Sequence, residues 1–208
     1  MSSRAEGSKK EAQKKTEKIG YDPVGLRKCM ERELDPRRYE HTLGVAYTAA
    51  ALAMRYGADM KKAQIAGLLH DCAKNLSSEK QIRTCHKHSI AINAAEQKNP
   101  SLLHAKVGSF LAWHKYGIED REILDAITWH TTGRPAMTML EKILYIADYI
   151  EPNRKIIPGL EEIRGIVFQD IDRAIYLSAK RTVRYLEDGG KSVDPMTVST
   201  CEYYKKEE

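Results

Sequence analysis

At 208 residues, with 42% apolar and 30% charged side chains, the chain is long enough for one substantial core, and its composition excludes disorder along most of its length. The formal charge of +5 is small, and residues 1–18 supply +3 of it through six basic and three acidic side chains, so charge argues against a nucleic-acid binder and leaves anionic small molecules open. Four scattered cysteines without a C-x-x-C pair exclude a disulfide framework or zinc knuckle and suit a reducing cytoplasm, and no apolar run is long enough to span a membrane.

Residues 1–20, rich in Lys, Glu, Gln and Ser, read as a basic, disordered tail ahead of one domain over 21–208. Val24, Leu26, Cys29, Met30 and Leu34 predict a short amphipathic helix that the Asp35-Pro36 step ends. In the next helix Tyr39, Leu43, Ala46, Tyr47, Ala50, Ala51 and Met54 recur at three- and four-residue intervals, His41 lies in the first turns, and Gly57 is the stop. A third helix is expected over Lys61 to Lys74, and a fourth through Leu103, Val107, Phe110, Leu111 and Trp113 up to Gly117. Others follow at Asp120 to Trp129, Met139 to Ile150, Gly159 to Glu187 with an internal break, and Asp194 to Tyr204, where Asp194 with Pro195 has the form of an N-cap and a first-turn proline. No alternating apolar run argues for a sheet and no internal repeat is present, so the expected class is all-α.

Polar residues interrupt the apolar helices at particular places. His70, Asp71 and Lys74 fall inside Leu68-Leu69-His70-Asp71-Cys72-Ala73-Lys74, and Asp148 interrupts the apolar stretch Ile143 to Ile150. Burying such groups unpaired costs on the order of several kcal/mol each, so partners are required. Lys74 follows Asp71 at the i, i+3 spacing that places both on one helix face. His41, His104 and His130 also sit in or beside apolar helical segments, whereas His86 and His88 read as solvated and His114 as a helix-end residue before Gly117. Imidazole nitrogen with carboxylate oxygen, and no cluster of thiolates, suits a catalytic divalent ion such as iron, manganese, nickel or zinc. One ion of this kind lowers the pKa of water and polarises a phosphoryl oxygen, and a second clamps the attacking and leaving oxygens, so hydrolysis of a phosphate ester or anhydride is the expected chemistry.

The segments Arg38-Tyr39-Glu40-His41, Gly67-Leu68-Leu69-His70-Asp71-Cys72-Ala73-Lys74, His130-Thr131-Thr132-Gly133-Arg134 and Ala147-Asp148-Tyr149-Ile150-Glu151-Pro152-Asn153-Arg154 resemble those of the HD-domain phosphohydrolases. More narrowly they resemble the YqeK-like bacterial symmetrical diadenosine tetraphosphate hydrolases, with the H-T-T-G-R and A-D-x-I-E-P-x-R stretches as the specific part of the match. The resemblance covers roughly Asp35 to Tyr185. It implies an HD-domain helical bundle, a bound divalent metal with iron foremost, cleavage of diadenosine tetraphosphate into two ADP, and a homodimer. It also implies that His41, His70, Asp71 and Asp148 hold the principal metal, with His104 and His130 on a second metal or on phosphate. Ala105 follows His104 where the family usually has glycine.

Within that frame Asp71, Lys74, His104 and His130 are the expected catalytic residues, with Asp71 suited to bridging two ions and orienting water. The substrate is expected to meet His41, Lys74, His104, His130, Thr131, Thr132, Arg134 and Arg154, the arginines through paired contacts to phosphate oxygens. Glu151 and Asn153 are expected to shape the turn at Pro152. Two other functions stand beside this one: a phosphohydrolase of the same type acting on another nucleotide or an alarmone, and a nucleotide-binding regulator. The complete His and Asp set disfavours the regulator, which has no need of it.

Overall fold

A computed structural model describes residues 21–205; the tail expected over residues 1–20 lies outside them. The described residues are helical throughout their regular structure, with no strand, as an all-α bundle requires. The helices are α1 (Pro23–Glu33), α2 (Pro36–Tyr56), α3 (Met60–Leu69), α4 (Ser78–Lys87), α5 (Ala94–Lys98), α6 (His104–His114), α7 (Arg121–Trp129), α8 (Met139–Ile150), α9 (Leu160–Ile166), α10 (Ile171–Asp188) and α11 (Pro195–Tyr204), with a 3₁₀ turn at Pro100–Leu103 before α6. None is long and apolar enough to cross a membrane.

Local chemistry sets these boundaries. The Asp35-Pro36 step ends one helix and opens the next: Leu34 is extended, and the Asp35 carboxylate accepts from Arg38 N while Pro36 takes the first helical position. Gly57 closes α2 in the left-handed conformation, φ 68°. Asp194 caps α11 by accepting from Met196 N, with Pro195 next to it. The long Gly159 to Glu187 segment divides into α9 and α10, and Asp170 caps the second half.

Two expectations change. The helix expected over Lys61 to Lys74 stops at Leu69, so His70, Asp71 and Lys74 lie in a series of tight turns rather than on one helix face. His70 Nδ1–H donates to the Gly67 carbonyl at 2.7 Å, and Cys72 N turns back to Leu69 O at 3.1 Å, three residues away, so the i−4 ladder gives way to shorter-range bonds. Between residues 76 and 98, ahead of the element that Asn99-Pro100 is expected to open, no helix is predicted, yet α4 and α5 form there on the polar caps Ser77 and Asn93, the latter in a capping box with Glu96.

The core runs between α2, α3, α7 and α8 and is closed by α10, with Val45, Leu52, Ile65, Leu69, Ile127 and Ile143 fully buried. Along α3, Gly67 lies so close to α2 that a Cβ there would be 2.5 Å from Ala46 Cα, which fixes how near those two helices run. A satellite cluster of Ala73, Cys85, Leu103 and Val107 holds the α4 region against α6. This packing brings the start of α2, the turn after α3, the start of α6, the end of α7 and the last turns of α8 to one place.

Candidate metal centre

Four imidazoles and two carboxylates meet there. His70, His104, His130 and Asp71 are each at most 3% exposed, which no unpartnered ionisable cluster tolerates. Each imidazole is held from behind by its Nδ1. His70, His104 and His130 donate to carbonyls three residues earlier, Gly67 at 2.7 Å, Ser101 at 2.5 Å and Ile127 at 2.7 Å, and His41 donates to Glu151 Oε1 at 3.2 Å. An Nδ1 proton used in this way leaves Nε2 as a lone pair pointing forward. The forward atoms face one another in pairs, His41 with His70 at 3.3 Å and His104 with His130 at 3.2 Å. Facing lone pairs at that separation repel unless a cation lies among them, so the donor set fits a divalent metal.

Asp71 lies between the two pairs and addresses each with a different oxygen. Its Oδ2 is 3.7 Å from His41 Nε2 and 3.5 Å from His70 Nε2, and its Oδ1 is 3.3 Å from His104 Nε2 and 3.8 Å from His130 Nε2. Asp148 Oδ1 completes the first pair, 3.1 Å from His41 Nε2 and 4.0 Å from His70 Nε2. Three combinations of these atoms, His41 with His70 and Asp71, His70 with His130 and Asp148, and Asp71 with His104 and His130, each fall within 4.8 Å.

Electrostatics divides the groups by role. Burial alone would raise the Asp71 carboxyl, but His70 and His104 hold it well below its ordinary value. The same opposition holds Asp148 low, through His41, His70 and Arg154. Burial would depress His70, yet Asp71 and Asp148 keep it above its usual value, whereas burial beside His104 and His70 pushes His130 down to about 3. Burial also lowers Lys74, against the pull of Asp71 and Asp148.

Cations border both sides. Arg38 Nη1 donates to Asp71 Oδ2 at 2.6 Å, Arg154 Nη1 is 3.7 Å from Asp148 Oδ1, and Lys74 Nζ is 3.1 Å from His104 Nε2. Thr131 Oγ1 lies 3.3 Å from His104 Nε2 and 3.2 Å from His130 Nε2. The structure therefore gathers His41, His70, Asp71, Lys74, His104, His130, Thr131, Asp148 and Arg154. It does not gather Thr132, whose hydroxyl donates to Gly133 O, or Arg134, whose Nε and Nη2 donate to Glu141 at 2.8 and 2.9 Å. The expected phosphate-binding fork of Arg134 is thus already used against a buried carboxylate, because the capping residue Glu141 faces the turn after α7.

Two neighbours of the site had no such role in the sequence reading. Arg38 precedes His41 by three residues, the spacing of one helix face, and Glu151 follows Asp148 by three. Those spacings were the available signal. Glu151, beyond shaping the turn through Asn153 N at 2.7 Å, is 1% exposed and orients His41. His86 and His88, expected to be solvated, are exposed, although the His88 ring lies 4.3 Å from that of Phe110, and His114 is the last residue of α6.

Comparison with known proteins finds the HD domain over residues 38–153. A symmetrical bis(5'-nucleosyl)-tetraphosphatase of Bacillus subtilis is 43% identical over 83% of this chain and 91% of its own length. One of Staphylococcus aureus bearing the same name is 38% identical over 86% of this chain and 92% of its own. Among solved structures, a protein of Clostridium acetobutylicum, described as a predicted HD superfamily hydrolase involved in NAD metabolism, shares 40% identity and superposes with a TM-score of 0.84, covering 88% of this chain and 96% of the other.

Proposed function

This chain belongs to the HD-domain family, and on that premise we propose that it is a symmetrical bis(5'-nucleosyl)-tetraphosphatase, which hydrolyses diadenosine tetraphosphate to two ADP. The observation that carries the reading is the division of Asp71 between two imidazole pairs, one oxygen to each. His41, His70, Asp71 and Asp148 would hold one divalent ion, and Asp71 with His104 and His130 a second. The all-nitrogen-and-oxygen donor set suits iron, manganese, nickel or zinc alike, and the family resemblance is what favours iron. When bound, the metal acidifies water and offsets charge on the phosphoryl oxygens.

The protein residues supply the rest. Water adds to one of the two inner phosphorus atoms as the bond from that same phosphorus to the bridging oxygen breaks, the bridging oxygen leaves with the other half, and two ADP and two protons result at neutral pH. Asp71 orients the incoming water from between the two imidazole pairs. His104 and His130 flank the phosphoryl group being transferred, and the Thr131 hydroxyl donates to one of its oxygens. Arg38 and Arg154 neutralise phosphates on the His41 side and Lys74 on the His104 side. Cations on both sides of Asp71 suit a substrate that carries phosphate on both sides of the cleaved bond. The separate free thiols support a cytoplasmic setting, and the family resemblance supports a homodimer.

The test is a hydrolysis panel with defined added metals, in which the products from dinucleoside polyphosphates, ordinary nucleotides and alarmones are separated. Two ADP from diadenosine tetraphosphate is the expected result; ATP with AMP overturns the symmetrical assignment. Asp71→Ala is expected to abolish turnover while leaving helical circular dichroism intact.

A further inference from the structure

The turn between α7 and α8 carries His130 and Thr131 into the site, and its backbone twice enters the left-handed region, at Gly133 with φ 64° and at Ala136 with φ 52°. For an alanine that conformation is strained, and it persists where the surroundings over-determine it. His130 is fixed at the near end by Nδ1–H to Ile127 O, and Gly133 N closes the turn onto Trp129 O at 2.8 Å. Past Gly133, Arg134 is clamped on Glu141, whose Oε2 also accepts from Thr138 N at 2.6 Å. Thr131 lies between these fixed points, with its hydroxyl 3.3 Å from His104 Nε2 and 3.2 Å from His130 Nε2.

The middle of the turn is held from another part of the chain. Helix α11 lies beyond the residues 38–153 that match the HD domain, yet two of its buried side chains reach this turn. Thr200, 0% exposed, places its Oγ1 3.0 Å from the Thr132 carbonyl oxygen and 2.8 Å from the Met196 carbonyl oxygen of its own helix. A hydroxyl has a single proton, so this donor is shared between the helix and the turn. Gly133 rests on the same side chain: a Cβ there would be 2.7 Å from Thr200 Cγ2 and 3.3 Å from Tyr145 Cε2. Further along, the Tyr204 hydroxyl accepts from Met137 N at 2.9 Å.

We propose that Thr200 is a positioning residue for the reaction: by fixing the Thr132 carbonyl, one residue along from Thr131, it aims the Thr131 hydroxyl at the phosphoryl group flanked by His104 and His130. This rests on the hydrolase reading above. The catalytic unit then extends past the matched domain to α11.

A double-mutant cycle tests it. Thr131→Val removes the donor to the phosphoryl oxygen and is expected to lower kcat about a hundredfold. Thr200→Val keeps its shape and releases the turn; kcat is expected to fall about tenfold with KM little changed, and Thr200→Ser to restore most of the loss. The double variant is expected to stay near the loss of Thr131→Val alone, because no hydroxyl is left to aim. A loss of about a thousandfold, as for independent effects, or an unchanged kcat in Thr200→Val, overturns the proposal. Tyr204→Phe loosens the same turn at Met137 and is expected to lower the urea midpoint with kcat unchanged; a fall in kcat equal to that of Thr200→Val also overturns it. Thr200→Ala runs the cycle if Thr200→Val does not fold. A second readout needs no turnover: in nitrogen NMR of the chelated protein, Thr131→Val and Thr200→Val are expected to shift the Nε2 resonances of His104 and His130 in the same direction, and Tyr204→Phe to leave them in place. Resonances unmoved by Thr200→Val reject the proposal. ATP with AMP as products, together with a non-additive cycle, rejects the symmetrical reading and keeps the role of Thr200.

Discussion

His41 differs from the other three imidazoles of the site in what holds it: a buried carboxylate, Glu151, in place of a carbonyl of its own turn. A carboxylate behind a metal-binding imidazole fixes its tautomer and raises its basicity. Glu151→Gln keeps the shape and loses the charge, so divalent-metal affinity is expected to fall roughly 10–100-fold in a metal titration. An unchanged affinity would remove Glu151 from the site. His130 makes a second prediction, for the metal-free protein. Its folded pKa is depressed from 6.5 to about 3, so between those values the unfolded chain binds a proton that the native protein does not. Stability from this group is full above 6.5 and declines as pH falls toward 3. Asp71 and Asp148, also depressed, act in the same direction below the ordinary carboxylate range, whereas the raised His70 loses its contribution only as pH rises past 6.5. Chelated protein should therefore show a lower denaturant midpoint at about pH 4.5 than at about pH 7, and equal midpoints would contradict the sign.

Helix pairs carry the next level, and two glycines separate stability from metal binding. A Cβ at Gly67 would meet Ala46 Cα at 2.5 Å and Ala46 N at 2.9 Å, backbone that cannot rotate away. Gly67→Ala gains roughly 1 kcal/mol of helix propensity but forces α2 and α3 apart, an overpacking that typically costs about 1–3 kcal/mol. A net loss is expected in urea unfolding, together with weaker metal binding, because His41 lies on α2 and His70 in the turn that directly follows α3. A Cβ at Gly44, by contrast, would land on Glu151 Oε2, the end of a side chain that can swing aside. Gly44→Ala should keep its unfolding midpoint and lose metal affinity through the displaced carboxylate. The reverse pattern would show that Gly44 serves packing instead of His41.

Across the whole molecule, a metal would tie together segments that are far apart in sequence, so it should stabilise the fold as well as enable chemistry. A ligand bound only by the native state at a hundred times its Kd adds about 2.7 kcal/mol, and a corresponding rise in Tm is expected when a divalent metal is returned to the chelated protein. Asp71→Ala should remove most of that rise; a full rise in the variant would mean that the ion binds elsewhere. Much of this architecture was legible in the chain because it is local: Asp35, Gly57 and Asp194 mark helix ends by hydrogen bonds within a few residues, and His70, Asp71 and Asp148 stand out from their apolar neighbours. The end of α3 at Leu69 was not, since periodicity continues through His70 while the side-chain bond to Gly67 O that redirects the backbone leaves no periodic trace. The sequence by itself determined the helical class and which residues were available as ligands. Only the tertiary structure decided that Asp71 serves two imidazole pairs, that Arg38 and Glu151 join the site, and that Arg134 is committed to Glu141. Periodicity and capping act over one or two helical turns, whereas those contacts depend on how close α2, α3, α6, α7 and α8 pack, which is set by the shapes of their buried faces.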